Sequence, residues 1–148
     1  MANYCCAVRT NYFRVKDEDK FTEFMNNVVG DEDTVDVWRK ELGDQTYFGF
    51  GCYGQIAGVR VQSKDPNNTD PEDEEPSYDD FVYGLQELVE DGDAIIIFES
   101  GNEKLRYVAG EALVITATDY RFINLNDVAV EAAGKLLGRR DYATVCSY

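Results

Sequence analysis

The chain has 148 residues with 29 acidic and 14 basic side chains, which give a formal net charge of −15, and it contains no histidine. This length fits one domain with its own core, and the charge repels free nucleic acid and anionic membranes because phosphate binding needs lysine and arginine. Without histidine, catalytic Ser-His and Cys-His pairs are excluded.

The first half of the chain predicts strands around one helix. Residues 3–14 are rich in aromatic and β-branched side chains, which favours a strand. Asp17 has the position of an N-cap for a helix over about 17–28 that ends at Gly30. Alternation of apolar and polar residues then predicts three further strands. In the first of these strands Val37 faces inward, and the first and second strands form a hairpin. These strands cover residues 34–40, 46–53 and 56–61.

The second half begins with a helix over 78–90, for which Ser77 and Asp80 have the spacing of a capping box. Four consecutive apolar residues within 93–99 predict a central strand that is covered on both faces. A turn at 100–102 follows. The remaining predicted elements are strands 105–109 and 112–117 around Gly110, an edge strand 121–124, a helix over about 127–137 between Asn126 and Gly138, and a last strand 144–148.

Runs of strands interrupted by helices, without strict alternation, are typical of α+β folds. We therefore expect residues 1–148 to form a single α+β domain, a mostly antiparallel sheet with about three helices packed on one face. Near the middle of the chain, the segment 64–77 contains all three prolines and has no strongly apolar residue before Ser77. A segment of this composition cannot bury enough apolar surface to offset the entropy that it would lose on ordering. The sequence therefore predicts a long exposed loop.

This acidic loop and the residues after it are the main candidate binding site. Duplex DNA carries one charge per ~1.7 Å of axis, and clustered carboxylates on a folded platform can present a comparable charge density to a basic channel. Tyr47 and Tyr53, from the glycine-rich hairpin, would add anchors that lose their water on binding. The alternative is a loop that only keeps the protein dissolved. The predicted partner-binding carboxylates are Asp65, Asp70, Glu72, Asp73, Glu74, Glu75, Asp79 and Asp80.

Three other patterns in the sequence are candidate sites. Residues 49–54 match G-x-G-x-x-G, but the residues that follow resemble a strand, whereas a dinucleotide site needs a helix there. We therefore expect a glycine-kinked strand pair and no cofactor. Glu99 could work with Glu103 or Glu111 in acid–base catalysis, although a carboxylate at a strand end is more often a turn or ion-pair residue. The loop lacks EF-hand spacing, so no specific metal site is expected.

The cysteines and the N-terminus bear on the compartment. The first ten residues lack the charged start and apolar core of a signal peptide, and no run of 18 apolar residues occurs. A cytoplasmic protein is expected, with its cysteines as thiols. The absence of C-x-x-C argues against zinc. The cysteines are Cys5, Cys6, Cys52 and Cys146.

The segments RTNYFRVKDEDKF (9–21) and DGDAIIIFESGNEKLRYVAG (91–110) resemble small uncharacterised proteins of bacterial mobile elements and phages. The resemblance implies an anti-CRISPR or anti-restriction role, and it transfers no site residue. With the charge, it favours a non-enzymatic DNA mimic in the host cytoplasm that binds the basic groove of a CRISPR effector or restriction enzyme. Two alternatives stay open. One is a structural or assembly module that packs through its sheet against a partner or as a homodimer, and the other is a carboxylate enzyme.

Overall fold

A computed structural model describes residues 4–60 and 75–144 of the chain. The described residues form three helices and eight strands, and the predicted single α+β domain with a mostly antiparallel sheet is confirmed. None of these helices is long and apolar enough to cross a membrane. The elements are β1 (Cys5–Thr10), α1 (Glu18–Met25), β2 (Val28–Gly30), β3 (Asp36–Leu42), β4 (Gln45–Tyr53), β5 (Ile56–Val59), α2 (Tyr78–Leu88), β6 (Ile95–Glu103), β7 (Tyr107–Ile115), β8 (Tyr120–Asn124) and α3 (Leu125–Leu137).

The main sheet has six strands in the order β3-β4-β1-β6-β7-β8, and every neighbouring pair is antiparallel. The strands β2 and β5 pair separately as a small sheet. The central position predicted for β6 is confirmed, because β6 lies between β1 and β7. Its predicted burial on both faces is wrong, since Ile95 and Ile97 are buried whereas Phe98 is 51% exposed.

The two faces of the main sheet differ because successive side chains of a strand point to opposite sides. The inner face carries buried side chains and is covered by α1 and α2. The Phe21 ring of α1 lies 4.8 Å from that of Phe48, and the Phe81 ring of α2 lies 6.1 Å from that of Phe50. The core is therefore an aromatic layer between this face and two helices.

The third helix departs from the expectation that all helices share one face. A Cβ added to Gly110 would lie 2.8 Å from Cδ2 of Leu125, the first residue of α3. Gly110 is next to the inner-facing Glu111 in β7, so Leu125 lies over the opposite, outer face of the sheet. The helix α3 thus begins on the face that α1 and α2 leave uncovered.

Two of the predicted helix starts are confirmed. The carboxylate of Asp17 accepts a hydrogen bond from the Lys20 amide at 3.1 Å, and the Ser77 hydroxyl accepts one from the Asp80 amide at 3.2 Å. The predicted start of α3 is wrong by two residues, because Asn124, and not Asn126, accepts from the amide of Asp127.

Of the predicted helix ends, that of α3 is confirmed and that of α1 is wrong. Gly138 ends α3 as predicted, with a left-handed φ of 68°. The helix α1 already ends at Met25, and Gly30 belongs to β2.

Glycines account for the main errors in the strands. The predicted turn at 100–102 is wrong, because β6 continues to Glu103 and the chain turns near Lys104, which has a φ of 48°. Likewise β7 is one strand through Gly110, where two were predicted. Val37 faces inward as predicted, because it is opposite the buried Phe50, but it is 44% exposed since β3 is an edge strand. Parts of the predicted strands 3–14, 56–61 and 144–148, and most of the acidic loop, lie outside the described residues.

Candidate acidic interface

The predicted partner-binding residues fall into two groups. Glu75 is exposed, and Asp79 and Asp80 are exposed in the first turn of α2. The chain passes out of the described region after residue 60 and returns at 75, and these two points are close because Val59 and Ser77 exchange backbone hydrogen bonds of 3.1 and 2.9 Å. The predicted residues outside the described region are Asp65, Asp70, Glu72, Asp73 and Glu74.

Five further carboxylates, here called the acidic patch, lie close to this point. Glu99 of β6 and Glu111 of β7 are directly opposite each other in the antiparallel pairing. Residues opposed in this way have Cβ atoms about 5 Å apart, so the two carboxylates are neighbours on the inner face. The acidic patch consists of Asp31, Glu32, Asp33, Glu99 and Glu111.

Gln55 connects the two halves of the acidic patch. Its side-chain amide donates to the carboxylate of Glu99 at 3.1 Å, and its backbone amide donates to the carboxylate of Asp31 at 2.9 Å. A Cβ added to Gly54 would lie 2.6 Å from Oδ1 of Asp31 and 3.0 Å from Cβ of Glu32. The loop after β2 therefore lies against the turn between β4 and β5, within reach of the end of β6.

The start of α2 faces the same carboxylates. The pKa of Tyr78 is raised above its usual value by burial, and then by the negative charges of Glu99 and Glu111. Tyr78 directly precedes Asp79 and Asp80, so the first turn of α2 lies beside the acidic patch. The acidic patch and the predicted residues Glu75, Asp79 and Asp80 therefore occupy one end of the molecule.

Arg60 lines the same groove as Asp31, Glu32 and Asp33, but no ion pair within residues 4–60 and 75–144 joins it to them. Every ion pair among residues 4–60 and 75–144 involves a carboxylate outside the acidic patch, such as Asp93 with Arg14 at 3.3 Å and Glu131 with Lys135 at 3.2 Å. The other pairs are Lys16–Asp91, Arg39–Glu18, Arg39–Glu41, Arg106–Glu103 and Arg139–Asp141. Within this region, the five carboxylates of the acidic patch therefore have no lysine or arginine partner.

The thiols beside the acidic patch experience its charge. Burial raises the pKa of Cys6 to about 11, followed by the charges of Glu99, Asp31 and Glu32. Burial raises the pKa of Cys52 to about 11 as well, and the largest charge effects come from Asp31 and Asp33. Both thiols stay protonated at neutral pH. The charges of the acidic patch therefore act on these thiols in the same direction as burial.

Tyr4 provides a further hydrogen bond to this cluster. Its hydroxyl donates to the carboxylate of Glu99 at 3.0 Å, and its ring stacks on Tyr107 with 5.8 Å between centroids. Burial, this hydrogen bond and the charge of Glu99 raise the pKa of Tyr4. Glu99 thus receives hydrogen bonds from Tyr4 and Gln55, which fix its carboxylate on the inner face.

The two predicted aromatic anchors lie apart. Tyr53 is 74% exposed at the end of β4, directly before the Gly54–Gln55 turn that contacts the acidic patch. Tyr47 is half-buried, six residues earlier in the same strand, which corresponds to about 20 Å at the rise of a β-strand. Strand alternation directs the side chains of Tyr53 and Tyr47 to the outer face, whereas Glu99 and Glu111 face the inner side, so neither predicted anchor points toward the acidic patch.

The glycine motif at 49–54 has the strand environment that was expected. The strand β4 contains residues 49–53, and the next element is the strand β5, so no helix N-terminus faces the motif. A Cβ on Gly51 would lie 2.5 Å from the Val8 carbonyl oxygen and 3.2 Å from the Trp38 ring. The glycine allows β4 to approach β1, and the motif has no phosphate-binding geometry.

A groove of about 290 Å³ lies on the outer face near Glu99 and Glu111. It is lined by Phe98, Glu99, Ser100, Gly110, Glu111, Ala112, Ile123, Leu125 and Val128. Strand alternation directs the side chains of Phe98 and Ala112 into this face and those of Glu99 and Glu111 away from it. The two carboxylates therefore do not meet across the groove, and Glu103 is paired with Arg106 at 3.5 Å. Within residues 4–60 and 75–144, no three histidine, cysteine, aspartate or glutamate side chains are placed so that they could hold one metal ion together.

Sequence reasoning considered Glu99 and Glu111 only as catalytic candidates and overlooked residues 31–33. The run Asp31-Glu32-Asp33 is visible in the sequence, but its proximity to Glu99 depends on Gln55, which is 44 residues away from Glu99 in the chain. No local pattern carries that information. Comparisons with protein-family models, curated proteins and solved structures gave no match, so the resemblance to mobile-element proteins stays a prediction.

Proposed function

We propose that this protein is a non-enzymatic inhibitor that acts in the cytoplasm and occupies the basic nucleic-acid groove of a CRISPR effector or restriction enzyme. The observation that carries the proposal is the acidic patch, whose five carboxylates have no lysine or arginine partner within the described region. The chain around it adds Glu75, Asp79 and Asp80, and the sequence of residues 61–74 adds five more carboxylates against one lysine.

The spacing of these charges suits a surface that normally holds phosphates. Opposed residues of neighbouring strands lie about 5 Å apart, and each DNA strand carries one phosphate per ~3.4 Å of axis. The carboxylates of Asp31, Glu99 and Glu111 follow one another across the strands, with Gln55 between the first two. A groove rich in arginine would meet a similar density of negative charge.

The repulsion between neighbouring carboxylates of the acidic patch favours binding to a positively charged partner. Like charges placed opposite each other in a sheet are destabilising, so Glu99 and Glu111 weaken the free protein unless a cation compensates them. A field of one sign also accelerates encounter with an oppositely charged surface by about 10–10³-fold, and salt reduces that gain. Binding should therefore be fast, tight at low ionic strength and strongly dependent on salt.

The test is a triple substitution of the acidic patch, Asp31→Asn, Glu99→Gln and Glu111→Gln. Target capture from a bacterial lysate and inhibition of DNA cleavage by a panel of CRISPR effectors and restriction enzymes are measured at low and high salt. We expect the triple variant to bind the captured target at least about tenfold more weakly at low salt, with a shallower salt dependence. A second variant carries Glu72→Gln, Asp73→Asn, Glu74→Gln and Glu75→Gln, and the same direction is expected.

The matched control removes three charges elsewhere, by Glu23→Gln, Asp44→Asn and Glu87→Gln, which are exposed and belong to no ion pair of the described region. Thermal unfolding confirms that each variant is folded. If the wild-type chain inhibits no member of the panel, or if the acidic-patch and control variants bind equally well, the proposal is wrong.

A further inference from the structure

Two cations on the outer face of the main sheet have no carboxylate partner. Strand alternation directs Arg9 and Lys40 to this face, and no ion pair of the described residues includes either of them. Asp36 is the acidic residue that alternation places on this face of the six described strands, and Gly51 separates it from Arg9. This part of the surface is therefore locally positive in a chain with a net charge of −15.

Two aromatic rings hold these cations in place. The guanidinium carbon of Arg9 lies 4.6 Å from the centroid of the Trp38 ring and 5.9 Å from that of the Tyr12 ring. The ammonium nitrogen of Lys40 lies 5.2 Å from the Tyr12 centroid. Such contacts attract a cation to a ring without neutralising its charge. Rings and cations therefore alternate in the four residues Trp38, Arg9, Tyr12 and Lys40, here called the cation–ring cluster.

Gly51 allows the Trp38 ring to reach across the sheet to Arg9. The strand β4, which contains Gly51, lies between β3 with Trp38 and β1 with Arg9. A Cβ added to Gly51 would lie 3.2 Å from Cη2 of Trp38 and 3.3 Å from Cα of Arg9. The indole ring therefore lies over bare backbone, and the cation–ring cluster forms a continuous surface across three strands.

Further rings extend this surface in both directions. Tyr47 is directly opposite Lys40 in the β3–β4 pair, and Phe98 is directly opposite Arg9 in the β1–β6 pair. Tyr47 is half-buried and Phe98 is 51% exposed. The four strands involved span about 15 Å, since neighbouring strands lie ~4.8 Å apart. Sheet surfaces with aromatic side chains stack two or three bases of a single strand.

We propose that the cation–ring cluster binds single-stranded nucleic acid. A nucleotide combines a planar base with an anionic phosphate, so it matches a surface on which rings and cations alternate. Bases stack on the exposed rings and on the Arg9 guanidinium, while phosphates accept hydrogen bonds from Arg9 and Lys40. A duplex already stacks its bases internally, and an acidic peptide offers carboxylates without rings. Both therefore fit this surface less well than a single strand.

The net charge of the chain weakens this binding without preventing it. The carboxylates of Glu99 and Glu111 point to the inner face, whereas the cation–ring cluster is on the outer face. At about 0.1 M salt the Debye length is about 10 Å, so charges on the far side of the sheet are largely screened. We expect dissociation constants of about 10⁻⁶–10⁻⁴ M, the range of sequence-independent binding.

The first experiment uses the fluorescence of Trp38, which is the single tryptophan of the chain and so reports directly on the cluster. The full chain is titrated at about 0.1 M salt with a single-stranded oligothymidylate of about 12 nucleotides. We expect saturable quenching, with a matched duplex and polyglutamate binding at least about tenfold more weakly. Absence of quenching overturns the proposal. Equal binding of the duplex or of polyglutamate also overturns it, and the latter would assign the surface to an acidic protein.

The second experiment compares single substitutions that each remove one positive charge. Arg9→Gln should weaken oligothymidylate binding at least about tenfold, because it removes both a stacking plane and a phosphate contact. Lys40→Gln should also weaken it, and should reduce the slope of log K against log salt by about 0.7. The control Lys20→Gln, at an exposed position of α1 in no ion pair of the described residues, should change binding by less than about twofold. Equal effects of the Arg9 and Lys20 substitutions would overturn the proposal.

The same titration separates this proposal from the proposed inhibition. The acidic-patch triple variant should bind oligothymidylate at least as tightly as the wild type, because it removes negative charge and leaves the cation–ring cluster intact. Conversely, Arg9→Gln should leave inhibition of the target unchanged. Thermal unfolding checks that each variant is folded, and the quenching of the unmodified chain tests the proposal even where a variant is not.

Discussion

At the scale of single residues, Glu99 connects the candidate interface to the sheet. It accepts hydrogen bonds from Tyr4 at 3.0 Å and Gln55 at 3.1 Å, and it faces Glu111 across the β6–β7 pair. The two neutral donors satisfy its oxygens without neutralising its charge. The repulsion between Glu99 and Glu111 therefore remains in the free protein, where it opposes folding.

Removing that repulsion should stabilise the protein. We expect Glu111→Gln to raise the free energy of unfolding by about 0.5 kcal/mol at low salt, because directly opposed like charges are destabilising by amounts of this order. High salt should shrink the gain. Urea unfolding at two ionic strengths measures it, with Glu87→Gln on α2 as the control. A loss of stability at low salt would mean that Glu111 has a stabilising partner and that the interpretation of the pair is wrong.

The thiol of Cys52 reports the electrostatic potential beside the acidic patch. Its pKa is raised from 9.0 to about 11, first by burial and then by the charges of Asp31 and Asp33. In a chain that keeps Cys52 and has Cys5→Ser, Cys6→Ser and Cys146→Ser, the pH at half-maximal alkylation rate should lie near 11 in the folded protein. Unfolding in denaturant should return it to about 9, and Asp31→Asn should lower it in the folded state.

The same shift sets the direction of a pH effect on stability. Below pH 9 the thiol is protonated in both states, so its contribution is fully present. Between about 9 and 11 the unfolded chain loses the proton while the folded chain keeps it, so stability falls as the pH rises through this window. An alkylation profile that is identical in folded and unfolded protein would contradict the assignment.

At the scale of elements, two glycines of β4 differ in how closely neighbouring atoms approach them. Gly51 lies where a Cβ would meet the Val8 carbonyl oxygen at 2.5 Å, whereas the closest atom to a Cβ on Gly49 is 3.4 Å away. Gly51→Ala should therefore lower the free energy of unfolding by about 1–3 kcal/mol through overpacking between β4 and β1. Gly49→Ala, in the same motif, is the matched control and should change stability by less than about 0.5 kcal/mol. Equal effects in thermal unfolding would contradict this account.

The sequence predicted correctly those structural features whose cause lies within a few residues in the chain. Asp17 and Ser77 were identified as N-caps because a cap needs only an oxygen and an amide three residues later. Gly101 and Gly110 were misinterpreted because a glycine in a turn and a glycine under a neighbouring chain look alike in sequence. Gly101 lies against the backbone of Cys5, and Gly110 lies under Leu125.

The candidate interface was predictable only in its composition. The excess of carboxylates and their concentration near the middle of the chain are visible in the sequence, and Glu75, Asp79 and Asp80 lie at the acidic end of the molecule. The contribution of residues 31–33 was not visible, because it depends on the hydrogen bonds of Gln55 to two distant segments. The exposure of α3 was also unpredictable, since its apolar periodicity is the same whether or not a partner covers it.

At the scale of the whole molecule, the two faces and one end of the sheet have different chemistry. The inner face is a closed aromatic core, the outer face is apolar and positive, and the end beside α2 is negative. Binding through the acidic end, as proposed above, should weaken steeply as the ionic strength rises, because salt screens its charges.

The strand order also has a consequence for how the chain is made. The strand β1 lies in the middle of the sheet, and it pairs with β6, which is far from it in the chain, through contacts such as Cys5 with Asn102. Until β6 has been synthesised, the edge of β1 that pairs with it has no partner and offers its backbone to other nascent chains. The closing of so large a loop should make refolding slow, in the millisecond-to-second range of sheet-rich domains. We therefore expect the nascent chain to be captured by chaperones at the unpaired edge of β1 until β6 is in place.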